Sequence, residues 1–406
     1  MKPAMPNLHI MAKPAGPICN LDCAYCFYLE KEKLYPGHRQ LADWRMPASV
    51  LERYIEDFIA SQPGSEVQFA WQGGEPTLLG VDFFREVVRL QSRHAGGKRC
   101  SNALQTNATL LDDTWGEFLA EHRFLVGISL DGPQKLHDRY RTDKGGQPTF
   151  RQVMRGLEAL RRHDVEFNTL TCIQRHNADY PLEIYQFLKD TGSRYLQFIP
   201  VVERAQGAAD AVTPWSLLPR QLGQFLIAVF DEWIRRDVGS YYIQLFEVTL
   251  ANWMGWDPGL CIFRETCGGA LALEHNGDLY SCDHFVAPEH RLGNLMERPL
   301  AELAQSPTQI QFGLAKRDTL PRYCRECEVR FACHGECPKN RFITTPDGEP
   351  GLNYLCEGYK AFFQHVTPYM NYMAEQLRQQ HTPTSVMQWA HQETVKPASM
   401  QRGVHV

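Results

Sequence analysis

No apolar run in this chain approaches the roughly 20 residues that a membrane-crossing helix needs, so no membrane association is expected. The N-terminal run MKPAMPNLHIMAKPAGP has no continuous apolar core of the signal-peptide kind. Positive charge is not in excess either, since 42 Lys and Arg face 47 Asp and Glu for a formal charge of −5. Phosphate-rich partners need a basic footprint, so no nucleic-acid surface is expected. Internal repeats are absent. What remains is an ordinary globular composition, 43% hydrophobic and 22% charged, over 406 residues. That length exceeds the usual span of a single hydrophobic core and predicts two domains.

Cysteine is where the chain is rich. Thirteen cysteines without an export signal point to a reducing, cytoplasmic setting and to metal binding in place of disulfides. Cys19, Cys23 and Cys26 stand in CNLDCAYC with the spacing C-x3-C-x2-C. Thiolates are the usual ligands of iron–sulfur clusters, and a four-iron cube normally takes four of them. Three ligands leave one iron open to chelate a substrate. The second half adds Cys261, Cys267, Cys282, Cys324, Cys327, Cys333, Cys337 and Cys356, the eight that two further fully ligated cubes require. Zinc is the competing reading, because C-x2-C pairs also build zinc ribbons. Cys100 and Cys172 fall beside or within predicted strands, where a free cysteine behaves as a small core residue.

Hydrophobic periodicity predicts strands at His9–Ala12, Val67–Trp71, Ala103–Thr106, Phe124–Leu130, Phe167–Ile173 and Tyr195–Val202. Helical spacing lies between them, as in Val50-Leu51-Tyr54-Ile55-Phe58, Phe83–Leu90, Trp115–Leu119, Phe150–Leu160 and Leu182–Leu188. Gly192 reads as a helix stop before the last strand. Six such β–α units imply an α/β fold with a parallel sheet and right-handed crossovers, too few for a closed eight-stranded barrel. An Ala/Gly-rich surface loop is expected from Arg204 to Thr213, and a helix from Leu218 to about Arg236. The predicted division is 1–235, then a cysteine-rich region 236–377, then a polar, weakly ordered tail 378–406.

The triad, with Tyr25 before its third cysteine, resembles the radical S-adenosylmethionine (radical SAM) superfamily, and the six units resemble its partial (β/α)6 barrel. Trp71-Gln72-Gly73-Gly74-Glu75-Pro76 is similar to the family's GGEP motif, whose backbone and acid contact the SAM amino group. Matched residue by residue, the resemblance implies that Tyr25, Gly74, Ser129, Arg141 and Leu196 line the SAM site, with Arg141 reaching the SAM carboxylate. Ala108 departs from the Gly common after LQTN in relatives. The later cysteines, with Gly277 between Cys267 and Cys282, resemble the SPASM extension of peptide-modifying radical SAM enzymes. This resemblance would give one cluster to Cys261, Cys267, Cys282 and Cys337, and another to Cys324, Cys327, Cys333 and Cys356.

The runs CNLDCAYCFYLEK, WQGGEPTLLG, LQTNATLL, FLVGISLDGP and GDLYSCDHFV are similar to those of anaerobic sulfatase-maturating enzymes. That resemblance implies three [4Fe-4S] clusters and SAM as cofactors. It implies a 5′-deoxyadenosyl radical that oxidises a cysteine or serine of a sulfatase to Cα-formylglycine without oxygen. The expected partners are a sulfatase polypeptide with a Cys/Ser-x-Pro-x-Arg motif and an electron donor such as flavodoxin or ferredoxin. Asp283, directly after Cys282, matches the family's proposed base. Two alternatives stay open at this point: a SPASM maturase that crosslinks another ribosomal peptide, and a zinc scaffold or electron carrier without catalysis.

Overall fold

The computed structural model describes residues 8–205, 207 and 210–395. Six parallel strands form as the periodicity predicts: β1 (His9–Lys13), β2 (Glu66–Trp71), β3 (Arg99–Thr106), β4 (Leu125–Ser129), β5 (Phe167–Ile173) and β6 (Tyr195–Pro200). They lie side by side in chain order, as right-handed β–α crossovers require. The crossover helices are α1 (Ala48–Ser61), α2 (Val81–His94), α3 (Asp113–Glu121), the single turn α4 (Gln134–His137), α5 (Phe150–Arg162) and α6 (Pro181–Asp190).

Each helix buries the face its sequence marks out. Val50, Leu51, Tyr54, Ile55 and Phe58 of α1 and Phe83, Phe84, Val87 and Leu90 of α2 are all buried against the sheet. Asp112 caps α3 by accepting from the Trp115 N–H at 3.0 Å. Gly192 adopts φ +88° after α6 and turns the chain into β6, as a helix stop should. In the 204–213 loop, residues 206, 208 and 209 lie outside the described residues. The flanks fold back on each other, with Ala205 N–H donating to Ala211 C=O at 2.9 Å.

The helix α7 (Pro219–Arg236) ends where the first predicted region ends, but the sheet runs on. β7 (Tyr242–Ile243) pairs parallel with β6, and α8 (Gln244–Met254) follows it. At the opposite edge β8 (Ala270–Glu274) pairs parallel with β1, in the register His9↔Ala270 through Lys13↔Glu274. β9 (Asp278–Tyr280) and β10 (Arg291–Asn294) extend it antiparallel, giving the order β10-β9-β8-β1-β2-β3-β4-β5-β6-β7. Sequence reading left this stretch without strands. The signal was Asn276-Gly277, a favoured hairpin dipeptide, with Gly277 at φ +89°. The cysteine-rich region continues through α9 (Leu300–Ala304), α10 (Pro307–Asp318), α11 (Arg322–Arg325), α12 (Arg330–Cys333) and α13 (Cys356–Arg378).

The tail differs from expectation. Residues Val386–Val395 form α14, whose Val386 and Ala390 are fully buried. Trp389 stacks on Tyr372 at 5.0 Å and meets Tyr369 edge-on at 5.5 Å. Three apolar residues spaced three and four apart make a face despite the polar neighbours. Trp389→Ala should therefore cost ~2 kcal/mol, read as a lower denaturant midpoint; an unchanged midpoint would mean the helix is not docked.

Candidate active site

The cysteine triad sits on the loop that leaves the C-terminal end of β1. Two backbone seams hold the loop. On one side Asp22 N–H donates to Thr142 C=O at 2.8 Å and Ala24 N–H to Tyr140 C=O at 3.1 Å. On the other, Gly74 N–H donates to Gly16 C=O at 2.9 Å and Glu75 N–H to Ile18 C=O at 2.8 Å. A Cβ at Gly74 would collide with the Ile18 carbonyl, so glycine there serves close backbone approach. Burial pushes the Cys19 and Cys23 thiols up to about 12. The thiolate form needed for ligation is then favoured only when a metal takes the proton's place.

These thiols open onto a cavity of about 210 Å³ whose wall includes Tyr25, Gly73, Gly74, Ser129 and Arg141. Four of the five expected SAM-site residues thus converge on the triad. Leu196 does not. It is the second residue of β6, near the end away from the triad, and it borders a different hollow with Tyr195 and Gln197. The apolar wall at the mouth is supplied instead by Ile199, Pro200, Val201 and Val202 at the C-terminal end of the same strand. The match named a residue at the end of β6 away from the triad.

Two charged groups at the site are held by the chain itself. Both oxygens of the buried Glu75 carboxylate are taken by the chain itself: Oε1 accepts from Thr77 and Thr106, and Oε2 from the Asn107 N–H at 2.7 Å. The acid therefore fastens the glycine turn to the end of β3, and the backbone is what faces the cavity. Arg141 is buried and held by Asp131, with Nε 2.9 Å from Oδ2 and Nη2 donating to Oδ1 at 3.2 Å. Asp131 also accepts from the Tyr25 hydroxyl and from Cys172 N–H at 3.0 Å. One carboxylate thus orients two side chains that line the cavity. Cys172, expected to be core, lines the cavity; Cys100 packs against the core as expected. Ala108 takes φ +60°, a left-handed conformation that glycine adopts more readily.

The cysteine-rich region closes the mouth. Lys339, two residues after Cys337, donates to Val202 C=O at 3.0 Å and pairs with Glu203 Oε1 at 2.5 Å, and His284 lines the same cavity. Asp283 sits beside His284, 14% exposed, in an ion pair with Lys13. Burial alone would raise its carboxyl, but Lys13, His284 and Lys31 outweigh it and hold the group below the usual carboxylate range. Cys324, Cys327, Cys333 and Cys356 border one cavity. Cys337 lies within electrostatic range of Cys282 and Cys261, and Cys282 within range of Cys261 and Cys267. The buried Lys316 ammonium ties the backbone of Cys261 and Ile262, at 2.7 Å each, to α10. The all-thiol set of Cys324, Cys327, Cys333 and Cys356 around its cavity fits an iron–sulfur cluster, and the second set brings four thiols into mutual range.

A radical SAM superfamily model matches residues 14–188, and an iron–sulfur cluster-binding domain model, SPASM, matches 261–328. A serine-type anaerobic sulfatase-maturating enzyme of Bacteroides thetaiotaomicron is 46% identical, over 94% of each chain. A cysteine-type enzyme of Clostridium novyi is 31% identical, over 92% of this chain and 99% of its own. The solved structure of native anSMEcpe with bound AdoMet and Cp18Cys peptide superposes with a TM-score of 0.80 at 31% identity, over 91% of this chain and 99% of that one. The chain belongs to the anaerobic sulfatase-maturating enzymes. The cavity lies at the C-terminal ends of β1–β6, where barrel enzymes place their chemistry.

The Gly74 contact gives a test. Gly74→Ala should push the Cys19 arm off the turn, so that the N-terminal iron is lost while the later iron stays. SAM cleavage should fall by about 10²-fold. Full iron content with normal cleavage would show that the seam does not matter.

Proposed function

We propose that the enzyme oxidises Cβ of a target residue in a sulfatase segment of the form Cys/Ser-x-Pro-x-Arg to give Cα-formylglycine. Serine is the favoured target, since the serine-type relative matches at 46% identity against 31% for the cysteine-type one. The observation that carries the reading is the convergence of Cys19, Cys23, Cys26, Gly74, Ser129, Arg141 and His284 on one cavity.

Cys19, Cys23 and Cys26 would hold the cluster that faces SAM. Tyr25, Gly74, Ser129 and Arg141 would line the SAM site, with Val202 in the place expected of Leu196. The sets Cys261, Cys267, Cys282, Cys337 and Cys324, Cys327, Cys333, Cys356 would hold two more, three [4Fe-4S] clusters in all. When bound, these groups supply a 5′-deoxyadenosyl radical that removes one hydrogen atom from Cβ, and a sink for the second electron. The protein's own task is the remaining proton. Asp283 takes it: a carboxylate held ionised by cations, directly after a cluster-holding cysteine, places proton and electron acceptors side by side. A small acidic one-electron carrier such as flavodoxin or ferredoxin would reduce the system.

Incubation with SAM, a low-potential reductant and paired Ser-x-Pro-x-Arg and Cys-x-Pro-x-Arg peptides tests this by mass spectrometry. Formylglycine in either peptide supports the reading, with the serine peptide turned over faster. Two unaltered peptides beside ongoing SAM cleavage would favour a maturase of another peptide. Asp283→Asn should keep SAM cleavage within a few-fold while product falls by about 10²–10⁴-fold; undiminished product would remove Asp283 as the base.

A further inference from the structure

We propose that Lys13 is a positioning residue for this reaction. Its ammonium fixes the Asp283 carboxylate in place and so sets how much SAM cleavage is converted into product. The inference rests on the reading of Asp283 as base.

Lys13 ends β1 and is 2% exposed. Lysine is almost never buried so completely without a partner, and among the described residues its ion pair is with Asp283. The nearest competitor is Glu274, directly opposite in the β1–β8 register. That carboxylate is already engaged, accepting from the Tyr28 hydroxyl and lying 3.4 Å from His275 Nδ1. Lys13 Nζ also rests on the Tyr28 ring, 4.6 Å from its centroid, which favours a fixed cation. The aliphatic stem runs in a slot left by Gly73, where a Cβ would come within 3.3 Å of Lys13 Cβ and Cδ. Stem, ring and ion pair leave the ammonium one place to be.

The consequence is mechanical. Lys13 belongs to the strand that launches the cysteine triad, and Asp283 to the loop that follows Cys282. The pair therefore ties the proton acceptor to the frame in which the radical is made. Proton transfer needs a donor–acceptor approach of about 2.6–3.2 Å, and a misplacement near 1 Å can cost about 10²-fold. Without Lys13 the carboxylate is free to turn away, while the cavity that binds SAM keeps its walls.

The test compares cluster-loaded Lys13→Met, Lys13→Arg, Asp283→Asn and Lys13→Met/Asp283→Asn enzymes, measuring 5′-deoxyadenosine and formylglycine in the same reactions. Lys13→Met should keep the peptide KM and raise the ratio of 5′-deoxyadenosine to product by about ten-fold or more. Lys13→Arg, which retains the charge, should recover at least half of the lost coupling. In the double variant, where neither charge remains, Lys13→Met should add nothing to the Asp283→Asn defect. That arm also stands if Lys13→Met alone, with its unpaired buried carboxylate, does not fold. A wild-type ratio in Lys13→Met, equal defects in the Met and Arg variants, or a further loss in the double variant would overturn the proposal. A wild-type ratio in Asp283→Asn would overturn the base assignment instead.

Discussion

Everything in this molecule depends on two backbones lying in contact. The 16–18 segment, which carries the chain into the triad, is hydrogen-bonded to Gly74 and Glu75 at the end of β2, and there is no room between them for a side chain. That seam fixes where three thiols can stand before any metal arrives. It also presents the Gly73–Gly74 backbone to the same cavity as the three thiols. Glu75 locks the turn from behind by taking hydrogens from Thr77, Thr106 and Asn107. Four hydrogen bonds offset the cost of burying that carboxylate.

A second constraint brings the other half of the chemistry to the same place. Because β8 pairs parallel with β1, the β8–β9 turn emerges at the end of the barrel where the triad lies. The antiparallel β9 then carries the chain back to Cys282 and to Asp283, which is held to β1 by its ion pair with Lys13. The cysteine-rich region is thus an extension of the barrel's sheet on one edge, and Lys339 reaches the end of β6 on the other side of the cavity. With Asp283 as the proposed base, radical generation and proton removal would share one frame, joined by the Lys13–Asp283 pair. Such sharing matters for a reaction whose intermediate must lose an electron and a proton before it is quenched.

What the sequence made legible followed from how local each requirement is. A cluster loop needs its ligands within eight residues, and a glycine turn needs adjacent glycines, so the triad and WQGGEP could be read directly. The six parallel strands show as apolar or alternating runs, and burial alternates along β2, β3 and β5. Pairings between distant segments leave no such trace. Nothing around Lys13 announces that it meets Asp283, and nothing around Asp131 announces that it holds Tyr25 and Arg141. Leu196 was misplaced because a motif names a strand without saying which residue ends it. The strands β8–β10 have only the Asn276-Gly277 turn among closely spaced cysteines as their signal, and α14, with Val386 and Ala390 buried and Trp389 partly so, carries a weak pattern.

On the reading proposed above, the N-terminal triad leaves one iron free for SAM. The most direct measurement is pulsed electron–nuclear spectroscopy of the reduced enzyme with SAM labelled in its amino nitrogen and carboxylate oxygen. The account predicts hyperfine coupling from both labels, abolished by Cys23→Ala. An iron-loaded, reduced wild-type enzyme that shows no coupling from either label would contradict it.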